Sequence, residues 1–342
     1  MKSIDGSYGE GGGQLARTAC ALAALTGQAL HLVAIRARRR PPGLAPQHLT
    51  ALRAVAELCG AQVDGLALAS REIWFRPGPI RAGEFRFDVG TAGTIALVLQ
   101  ALLPVALRAP APVRVVVTGG TDVRNAPTVD YYRLVFLPLL ARLGARASLK
   151  VKRRGYYPRG GGEVELTTEP CPAFLPLRLD TPGALDVIEG IAHCANLPAH
   201  IATRMADAAA ARLRGLPVRI DTPVLGRGQA YGPGGAIVLA ARTAGTVLGA
   251  AMVAERGVPA ERLGDTVGDE IKRDLDAGAT LDVHAADQLL VYMAQATGPS
   301  FFRARTLSSH VRTVCWLLEQ FVPVRFEYGA RDGLATLAVI PG

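Results

Sequence analysis

The sequence predicts an α/β protein built from three repeated units, with a smaller α/β domain inserted before the last unit. At 342 residues the chain is too long for one ordinary core. Hydrophobic residues make up 49% of it, which is enough for a large buried interior and argues against disorder. The same order of helices and strands also recurs along the chain, and such repetition fixes architecture more firmly than a single motif.

Each repeated unit reads as a helix, a strand, a second helix and two further strands. The first copy spans residues 11–78 and contains the helices GGGQLARTACALAALTG and PQHLTALRAVAELCG, with the strand HLVAIRA between them. The second copy spans 93–169, and the third spans 285–341. The second helix of the first two copies runs into Gly60 or Gly144, which predicts C-cap glycines. The two glycines lie roughly eighty residues apart, which is long for a solenoid and typical of repeated α/β subdomains.

Residues 183–279 interrupt this pattern between the second and third copies. They carry their own strands, ALDVIEGIAHC and AIVLAART, and their own helices, PAHIATRMADAAAARL and GDTVGDEIKRDLDAG. We therefore predict a main domain formed by 1–182 and 280–342, and an inserted α/β domain at 183–279. The segment GRGQAYGPGG within the insert is typical of an exposed turn, and a functional role is the alternative.

Composition excludes several classes of protein. No apolar run reaches the roughly twenty residues that a bilayer requires, and MKSIDGSYGE lacks the apolar core of a signal peptide. The five cysteines are scattered and have no CxxC spacing, which favours reduced thiols over a disulfide framework or a zinc site. We expect a cytoplasmic protein that makes no membrane contact.

The chain carries a formal net charge of +9, which favours an anionic partner such as a nucleotide or a nucleic acid. The alternative is that the arginines are simply solvated. Part of the charge is clustered in IRARRRPP. In a strand, Arg36, Arg38 and Arg40 would share one face and Arg39 would lie on the other. Contact with phosphate and simple solvation are both compatible with this cluster.

Three glycines, Gly11, Gly12 and Gly13, precede the first helix of the first copy, and Glu10 precedes them. A helix N-terminus offers free N–H groups and a partial positive charge, and glycines let a phosphate approach them. Glu10 would repel that phosphate unless a divalent cation joined the two, so it is a candidate metal ligand. The alternative is an ordinary helix entry with an acid favoured by the dipole. The pattern fits neither a Walker loop nor a clean GxGxxG motif.

His310 is the most suggestive of the six histidines, because Ser308 or Ser309 is placed to cap a helix directly before it. A neutral imidazole there can attack an electrophilic phosphorus, while nearby N–H or cationic groups stabilise the developing charge. An ordinary histidine in the first turn of a helix is the alternative.

The segment VHAADQLLVYMAQ places His284, Asp287 and Gln288 on one helical turn. A ring for stacking on a base, with an acid and an amide nearby, is typical of a nucleoside pocket. The alternative is a polar helix start. Gln100 lies in an otherwise apolar helix and has a boundary position as its alternative explanation.

Taken together, these segments resemble the RNA 3′-terminal phosphate cyclase family. The resemblance covers nearly the whole chain and rests on many long blocks in the family's order: DGSYGEGGGQLART, RPPGLAPQHLTA, FRPG, GTAGTIALVLQALLP, GGTDVRNAP, GYYPRGGGEV, ADQLL and SSHVRTVCWLLEQFVPVRF. It implies three repeated βα units of the enolpyruvyl-transferase and initiation-factor C-terminal type, with a small α/β insert.

The resemblance also implies an ATP-dependent enzyme that closes an RNA 3′-phosphate into a 2′,3′-cyclic phosphate, with a divalent cation (Mg or Mn) as cofactor. His310 would carry AMP covalently, and Glu10 would hold the metal. The remaining implied binding residues are Gln14 and Arg17 with Gln100, Pro127, His284, Asp287 and Gln288 for ATP, and Arg36, Arg39 and Gln47 for the RNA end. Where the family places a tyrosine against adenine this chain has His284, which offers less stacking area.

Two rival functions remain compatible with parts of the sequence. The eukaryotic ribosome-assembly paralogues share the implied architecture as binding proteins, but they lack the histidine that stands here at 310. A small-molecule transferase of the enolpyruvyl type would fit the repeats alone. The EGGGQ block together with the helix-leading His310 favours the cyclase over both.

Overall fold

The first repeat forms a four-stranded sheet with two helices in the computed structural model, which describes residues 1–342. Its strands run in the order β1-β2-β4-β3, with β1 parallel to β2 and the other neighbours antiparallel. Its elements are β1 (Lys2–Asp5), α1 (Gly13–Thr26), β2 (Leu30–Val33), α2 (Pro46–Leu58), β3 (Gln62–Asp64) and β4 (Ile73–Arg76).

The second repeat has the same connectivity as the first. Its sheet order is β5-β6-β8-β7, again with one parallel pair followed by antiparallel neighbours. Its second helix passes through a π-helical turn, Tyr132–Phe136, which joins α4 to α5. The elements are β5 (Gly83–Asp88), α3 (Ile95–Ala106), β6 (Val113–Gly119), α4 (Val129–Tyr131), α5 (Leu137–Arg142), β7 (Ala147–Arg153) and β8 (Gly162–Thr168).

Residues 185–277 form a separate sheet with two helices. The strand order is β10-β9-β12-β13, and β11 also pairs with β9. The elements are β9 (Leu185–Ala195), α6 (His200–Arg212), β10 (Val218–Asp221), β11 (Val224–Leu225), β12 (Gly234–Thr243), β13 (Val247–Val253) and α7 (Ala260–Ala277). No helix of the structure, including the charged 18-residue α7, combines the length and the hydropathy that a bilayer crossing requires.

The third repeat closes the chain with a three-stranded antiparallel sheet in the order β14-β16-β15. Its elements are α8 (Val283–Met293), β14 (Ser300–Ala304), α9 (Ser309–Phe321), β15 (Val324–Arg331) and β16 (Leu334–Pro341). A parallel bridge joins Arg178 to Phe301 beside β14, in the position that β1 has beside β2. The third unit therefore begins before the insert, and the insert lies between its first extended segment and its first helix.

The buried apolar residues divide into two main cores. One cluster of 80 residues runs from Ile4 to Val339 and contains residues of all three repeats. A second cluster of 19 residues lies almost wholly within the insert, around Met205 and Val267. Burial on this scale is the main source of folding free energy, so the three repeats are stabilised together and the insert has a core of its own.

The local helix signals of the sequence are confirmed. Gly60 and Gly144 follow the ends of α2 and α5 with φ angles of 55° and 84°, as left-handed C-cap glycines require. Ser308 caps α9, and its hydroxyl accepts a hydrogen bond from the amide of Val311.

One predicted strand is wrong in its second half. Strand β2 ends at Val33, and Ala34 and Arg36 both have positive φ angles, 51° and 53°, which no strand allows. The guanidinium of Arg36 donates to the carbonyl of Gly43 at 2.6 Å. The clustered arginines therefore lie on an irregular loop, and the alternation of faces predicted for them does not exist. Strands β1, β5, β10, β11 and β13 were not predicted from the sequence.

Candidate active site

An open cleft of about 820 Å³ lies where the first, second and third repeats meet. The N-termini of α1, α8 and α9 all contribute to its wall, so helix ends from opposite parts of the chain converge on one space. Every site residue predicted from the sequence lines this cleft: Glu10, Gln14, Arg17, Arg36, Arg39, Gln47, Gln100, Pro127, His284, Asp287, Gln288 and His310.

The glycines of the EGGGQ block form the entry to α1. The helix begins at Gly13, its N-cap is Gly12, and no side chain caps it. Gly11 has a φ of 55°, a conformation that favours glycine. A Cβ on Gly13 would collide with Nε2 of His48. Uncapped N–H groups in an open cleft can receive an anion such as a phosphate.

His310 and Glu10 lie side by side at one edge of the cleft. Nε2 of His310 lies 3.3 Å from Oε2 of Glu10, and the imidazole is about half exposed. Ser309 donates to the same carboxylate through its hydroxyl, and Arg39 reaches it at 3.4 Å. Burial lowers the pKa of His310 below its ordinary value; Glu10 opposes this shift, while Arg17 and Arg39 reinforce it. The imidazole is therefore mostly neutral at pH 7, as a nucleophile must be.

Arg17 is a buried cation with few partners. It is 5% exposed, and one of its amino groups donates to Oε1 of Gln100 at 3.2 Å. Its Nε has no hydrogen-bond partner. Burial lowers its pKa to about 10, which leaves it charged at neutral pH. Because a buried charge is costly unless it is paired, an anion in the cleft would satisfy this side chain.

The N-terminal part of α8 carries a group of polar side chains, and one of them bonds to α1. Nε2 of Gln14 donates to Oδ2 of Asp287 at 2.5 Å, and Nε2 of Gln288 donates to the carbonyl of His284 at 2.8 Å. Burial raises the pKa of Asp287 to about 7. The carbonyl oxygens of the Gln14 and Gln288 side chains are buried without partners. Such free acceptors suit a ligand with N–H or O–H donors, as a nucleoside has.

His284 stands at the rim of this polar group. It is exposed, and its ring meets that of Tyr131 edge-on at a centroid distance of 6.5 Å. Asp282 caps α8 through the amides of His284 and Ala285, and it also accepts a hydrogen bond from the Tyr131 hydroxyl at 2.7 Å. The cap thus fixes the backbone from which the imidazole projects.

Arg36, Arg39 and Gln47 line the cleft on the side of the first repeat. Arg36 is tied to the loop carbonyl of Gly43, and Oε1 of Gln47 accepts a hydrogen bond from the amide of Thr94 at 3.1 Å. Arg39 is the most exposed of the three, with half of its side chain accessible. Guanidinium groups in such a position suit phosphate oxygens.

His48 is a residue of the cleft that the sequence reasoning missed. It is 6% exposed, and its Nδ1 accepts a hydrogen bond from the amide of Ala45 at 3.3 Å. Burial lowers its pKa to about 3, with Arg17 and Arg36 acting in the same direction. The ring is therefore neutral, and Nε2 carries its proton towards Gly13. Its place in the first turn of α2, next to Gln47, was the only available signal.

Glu10 is the one acidic residue of the glycine block, and no group of three or more His, Cys, Asp or Glu side chains is arranged to hold a metal. A single carboxylate still fits Mg²⁺, which keeps several waters and takes its other ligands from substrate phosphates. The donor set is therefore compatible with a cation that arrives together with a nucleotide.

Two further histidines, His31 and His193, lie outside the cleft. His31 bonds to Glu72 at 2.6 Å and stacks on Trp74. His193 is fully buried beside Asp122 and Asp130, and burial lowers its pKa to about 4.

Comparison with known proteins finds similarity over nearly the whole chain. The family model described as RNA 3′-terminal phosphate cyclase matches residues 8–328. A protein of that name from Nitrosospira multiformis is 55% identical over 96% of this chain and 93% of its own length. Proteins of the same name from Pyrobaculum neutrophilum and Methanopyrus kandleri are each 44% identical, over 95% and 99% of this chain and 94% and 98% of their own lengths.

Proposed function

Because the chain belongs to the RNA 3′-terminal phosphate cyclase family, we propose that it uses ATP to convert an RNA 3′-phosphate into a 2′,3′-cyclic phosphate. The observation that carries this proposal is the position of His310. It lies at the N-terminus of α9, is held mostly neutral, and is 3.3 Å from Glu10 in the cleft that contains the glycine entry of α1.

In the first step, Nε2 of His310 attacks the α-phosphorus of ATP. A nitrogen–phosphorus bond forms, the bond to the β-phosphate oxygen breaks, and pyrophosphate leaves. Glu10 would hold a divalent cation (Mg or Mn), and that cation would neutralise charge on the triphosphate. Arg17, Gln14 and the N–H groups at the start of α1 bind phosphate oxygens.

In the second step, an oxygen of the RNA 3′-phosphate attacks the phosphorus of the histidine–AMP. The nitrogen–phosphorus bond breaks, and an RNA–adenylate forms. A phosphate monoester has no good leaving group, and adenylylation supplies one. Arg36, Arg39 and Gln47 orient the RNA phosphate. In the third step the vicinal 2′-hydroxyl attacks the 3′-phosphorus and its proton passes to solvent. The bond between that phosphorus and the AMP oxygen breaks, which closes the ring and releases AMP.

The nucleoside of ATP is assigned to the side of the cleft formed by α3 and α8. Asp287, Gln288 and Gln14 offer hydrogen-bonding groups, His284 offers a ring for stacking, and Gln100 and Pro127 complete the wall. The free buried acceptors of Gln14 and Gln288 support this assignment. A cytoplasmic location belongs to the same proposal and agrees with five buried, unpaired cysteines.

The proposal is tested by incubating the protein with α-labelled ATP and a divalent cation. We expect label on the polypeptide that is labile in acid and stable in alkali, and no label on His310→Ala. His200→Ala is the matched control, because His200 is an exposed histidine in the insert. Label that persists in His310→Ala would end the assignment of the nucleophile.

A second assay addresses the RNA. An RNA with a labelled 3′-phosphate should become resistant to phosphatase when protein and ATP are present. A substrate with a 2′-deoxy terminus should stop at the adenylate, because the attacking hydroxyl is missing. Cyclisation of that substrate would contradict the third step.

A further inference from the structure

Two exposed tyrosines lie on adjacent loops of the second repeat and the insert. Tyr157 belongs to the loop between β7 and β8 and is 77% exposed, and Tyr231 belongs to the loop before β12 and is 53% exposed. Backbone hydrogen bonds join the two loops: the amide of Arg154 donates to Gln229 at 2.8 Å, and the amide of Tyr231 donates to Arg154 at 3.0 Å. The two loops therefore lie side by side, and each exposes a tyrosine.

The same loops carry unpaired positive charge. Arg159 and Arg227 are exposed and have no ion-pair partner, and neither GYYPRGGG nor GRGQAYGPGG contains an acidic residue. The guanidinium carbon of Arg153 lies 5.5 Å from the centroid of the Tyr231 ring, and Nε of Arg153 donates to the carbonyl of Gly161 at 2.9 Å. We call Arg153, Tyr157, Arg159, Arg227 and Tyr231 the tyrosine–arginine surface.

This surface has rigid support. Arg154, directly behind it, is buried between the carboxylates of Asp122 and Asp130 at 3.2 and 2.5 Å. A Cβ on Gly161 would lie 2.9 Å from the Tyr231 ring, so the ring packs directly on the backbone of the neighbouring loop. A ring fixed on its inner side and open on its outer side loses little conformational entropy when a flat ligand stacks on it.

The surface is also continuous with the cleft. The backbone at Gly160 packs on Thr91 and Ala92. Gly93 and Thr94, the residues that follow Ala92, contact Gln47, which lines the cleft. On the other side, a parallel β-bridge joins the backbone of Asp122 to that of Tyr156. The loop that contains Asp122 continues to Asn125 and Pro127 in the cleft wall. The loops that carry the tyrosine–arginine surface therefore adjoin the segments that form this part of the cleft wall.

We infer that the tyrosine–arginine surface binds the single-stranded body of the RNA, upstream of the 3′-phosphate that occupies the cleft. The inference rests on the proposed function and names the part of the partner that lies outside the cleft. Aromatic rings that stack on bases, interleaved with arginines that track phosphates, are the chemistry by which proteins hold single strands without reading sequence. The two loops carry arginines and no acidic residue, which favours a polyanion as the ligand over a protein surface of mixed charge.

The test compares two substrates, a 3′-phosphorylated dinucleotide and a 3′-phosphorylated RNA of about fifteen nucleotides. For the double variant Tyr157→Ala/Tyr231→Ala we expect the KM of the long RNA to rise about tenfold to a hundredfold. Its kcat, the KM of the dinucleotide and the labelling by ATP should stay unchanged. Tyr157→Phe/Tyr231→Phe keeps both rings and should behave like the parent, as should Tyr328→Ala, which alters an exposed tyrosine on another sheet.

Direct binding separates this inference from the proposed function. Fluorescence anisotropy with the long RNA, without ATP, should show the same loss of affinity in the alanine variant even if the parent cyclises nothing. For Arg159→Ala/Arg227→Ala the negative slope of log K against log salt should become shallower by about 1.4. An equal loss with both substrates, or no loss with either, would overturn the inference; in the second case the surface serves a protein partner or none.

Discussion

Nε2 of His310 lies 3.3 Å from Oε2 of Glu10, although the two residues belong to the third and the first repeat. The contact joins the N-terminal turn of α9 to the glycine block that precedes α1. The proposed nucleophile and a candidate metal ligand therefore share one edge of the cleft.

Replacing the carboxylate of Glu10 should raise the metal requirement. Glu10→Gln keeps the size of the side chain and removes its charge, so we expect labelling by ATP to fall about 10- to 100-fold at low Mg²⁺ or Mn²⁺. Higher metal concentration should restore part of the rate. Glu255→Gln, which removes a carboxylate paired with Arg124 outside the cleft, is the control. An unchanged metal requirement in Glu10→Gln would contradict the assignment.

The pH dependence of labelling should follow the lowered pKa of His310. Burial favours the neutral imidazole, so the reactive form persists below the ordinary pKa of 6.5. We expect a single-turnover labelling rate that is flat at neutral pH and falls only below a midpoint lower than 6.5. In Glu10→Gln the midpoint should move lower still, because Glu10 raises the pKa of His310. A midpoint above 6.5 in the parent would show that the imidazole is held protonated.

The parts of the fold that depend on local chemistry could be predicted from the sequence. Gly60 and Gly144 mark helix ends because only glycine takes left-handed angles at little cost, and Ser308 marks a helix start because its hydroxyl satisfies a free amide. The loop around Arg36 could not be predicted, because a positive φ at arginine depends on its contact with Gly43 and not on any local pattern.

The assembly of the site could be predicted only in part. Gln14 and Asp287 bond across 273 positions of sequence, and Arg17 and Gln100 across 83. Spacing along a helix says nothing about such pairs, so the list of site residues depended on resemblance to a family. His48 escaped notice because an isolated histidine on an amphipathic helix is as compatible with the core as with a site.

The glycine block offers a matched pair of variants. A Cβ on Gly13 would collide with Nε2 of His48, whereas a Cβ on Gly12 would meet only the guanidinium of Arg39, at 3.5 Å, which is an ordinary contact. We expect Gly13→Ala to lower labelling by ATP more than tenfold, because His48 and the start of α1 must both shift. Gly12→Ala should retain the melting temperature of the parent. If Gly13→Ala and Gly12→Ala label to the same extent and melt at the same temperature, His48 must move aside freely.

Asp287 should make stability depend on pH in a predictable direction. Burial raises its pKa from 3.8 to about 7, so the unfolded chain releases this proton at lower pH than the folded protein. Stability is lost as the pH rises from about 4 to 7, and the loss is complete above 7. The hydrogen bond from Gln14 can be kept by an asparagine.

The melting temperature of Asp287→Asn, relative to that of the parent, should therefore rise by about 2–6 °C between pH 4 and pH 8. Asp186→Asn, at an exposed aspartate without an ion pair, should show a constant difference. A constant difference for Asp287→Asn as well would mean that the carboxylate is ionised in the folded protein throughout this range.

His284 is the residue at which ring size should set the affinity for ATP. It is exposed at the rim, and its neighbour Tyr131 meets it only edge-on, so one face of the imidazole is available for stacking. A phenol ring offers more area, and aromatic pairs contribute about 0.5–1.5 kcal/mol beyond burial. His284→Tyr should therefore lower the KM for ATP about 2- to 10-fold, and His284→Ala should raise it. The cap of α8 uses the backbone amide of residue 284 and not its side chain, so both variants should fold. If both variants leave the KM unchanged, the base does not lie against residue 284, and the nucleoside must bind elsewhere in the cleft.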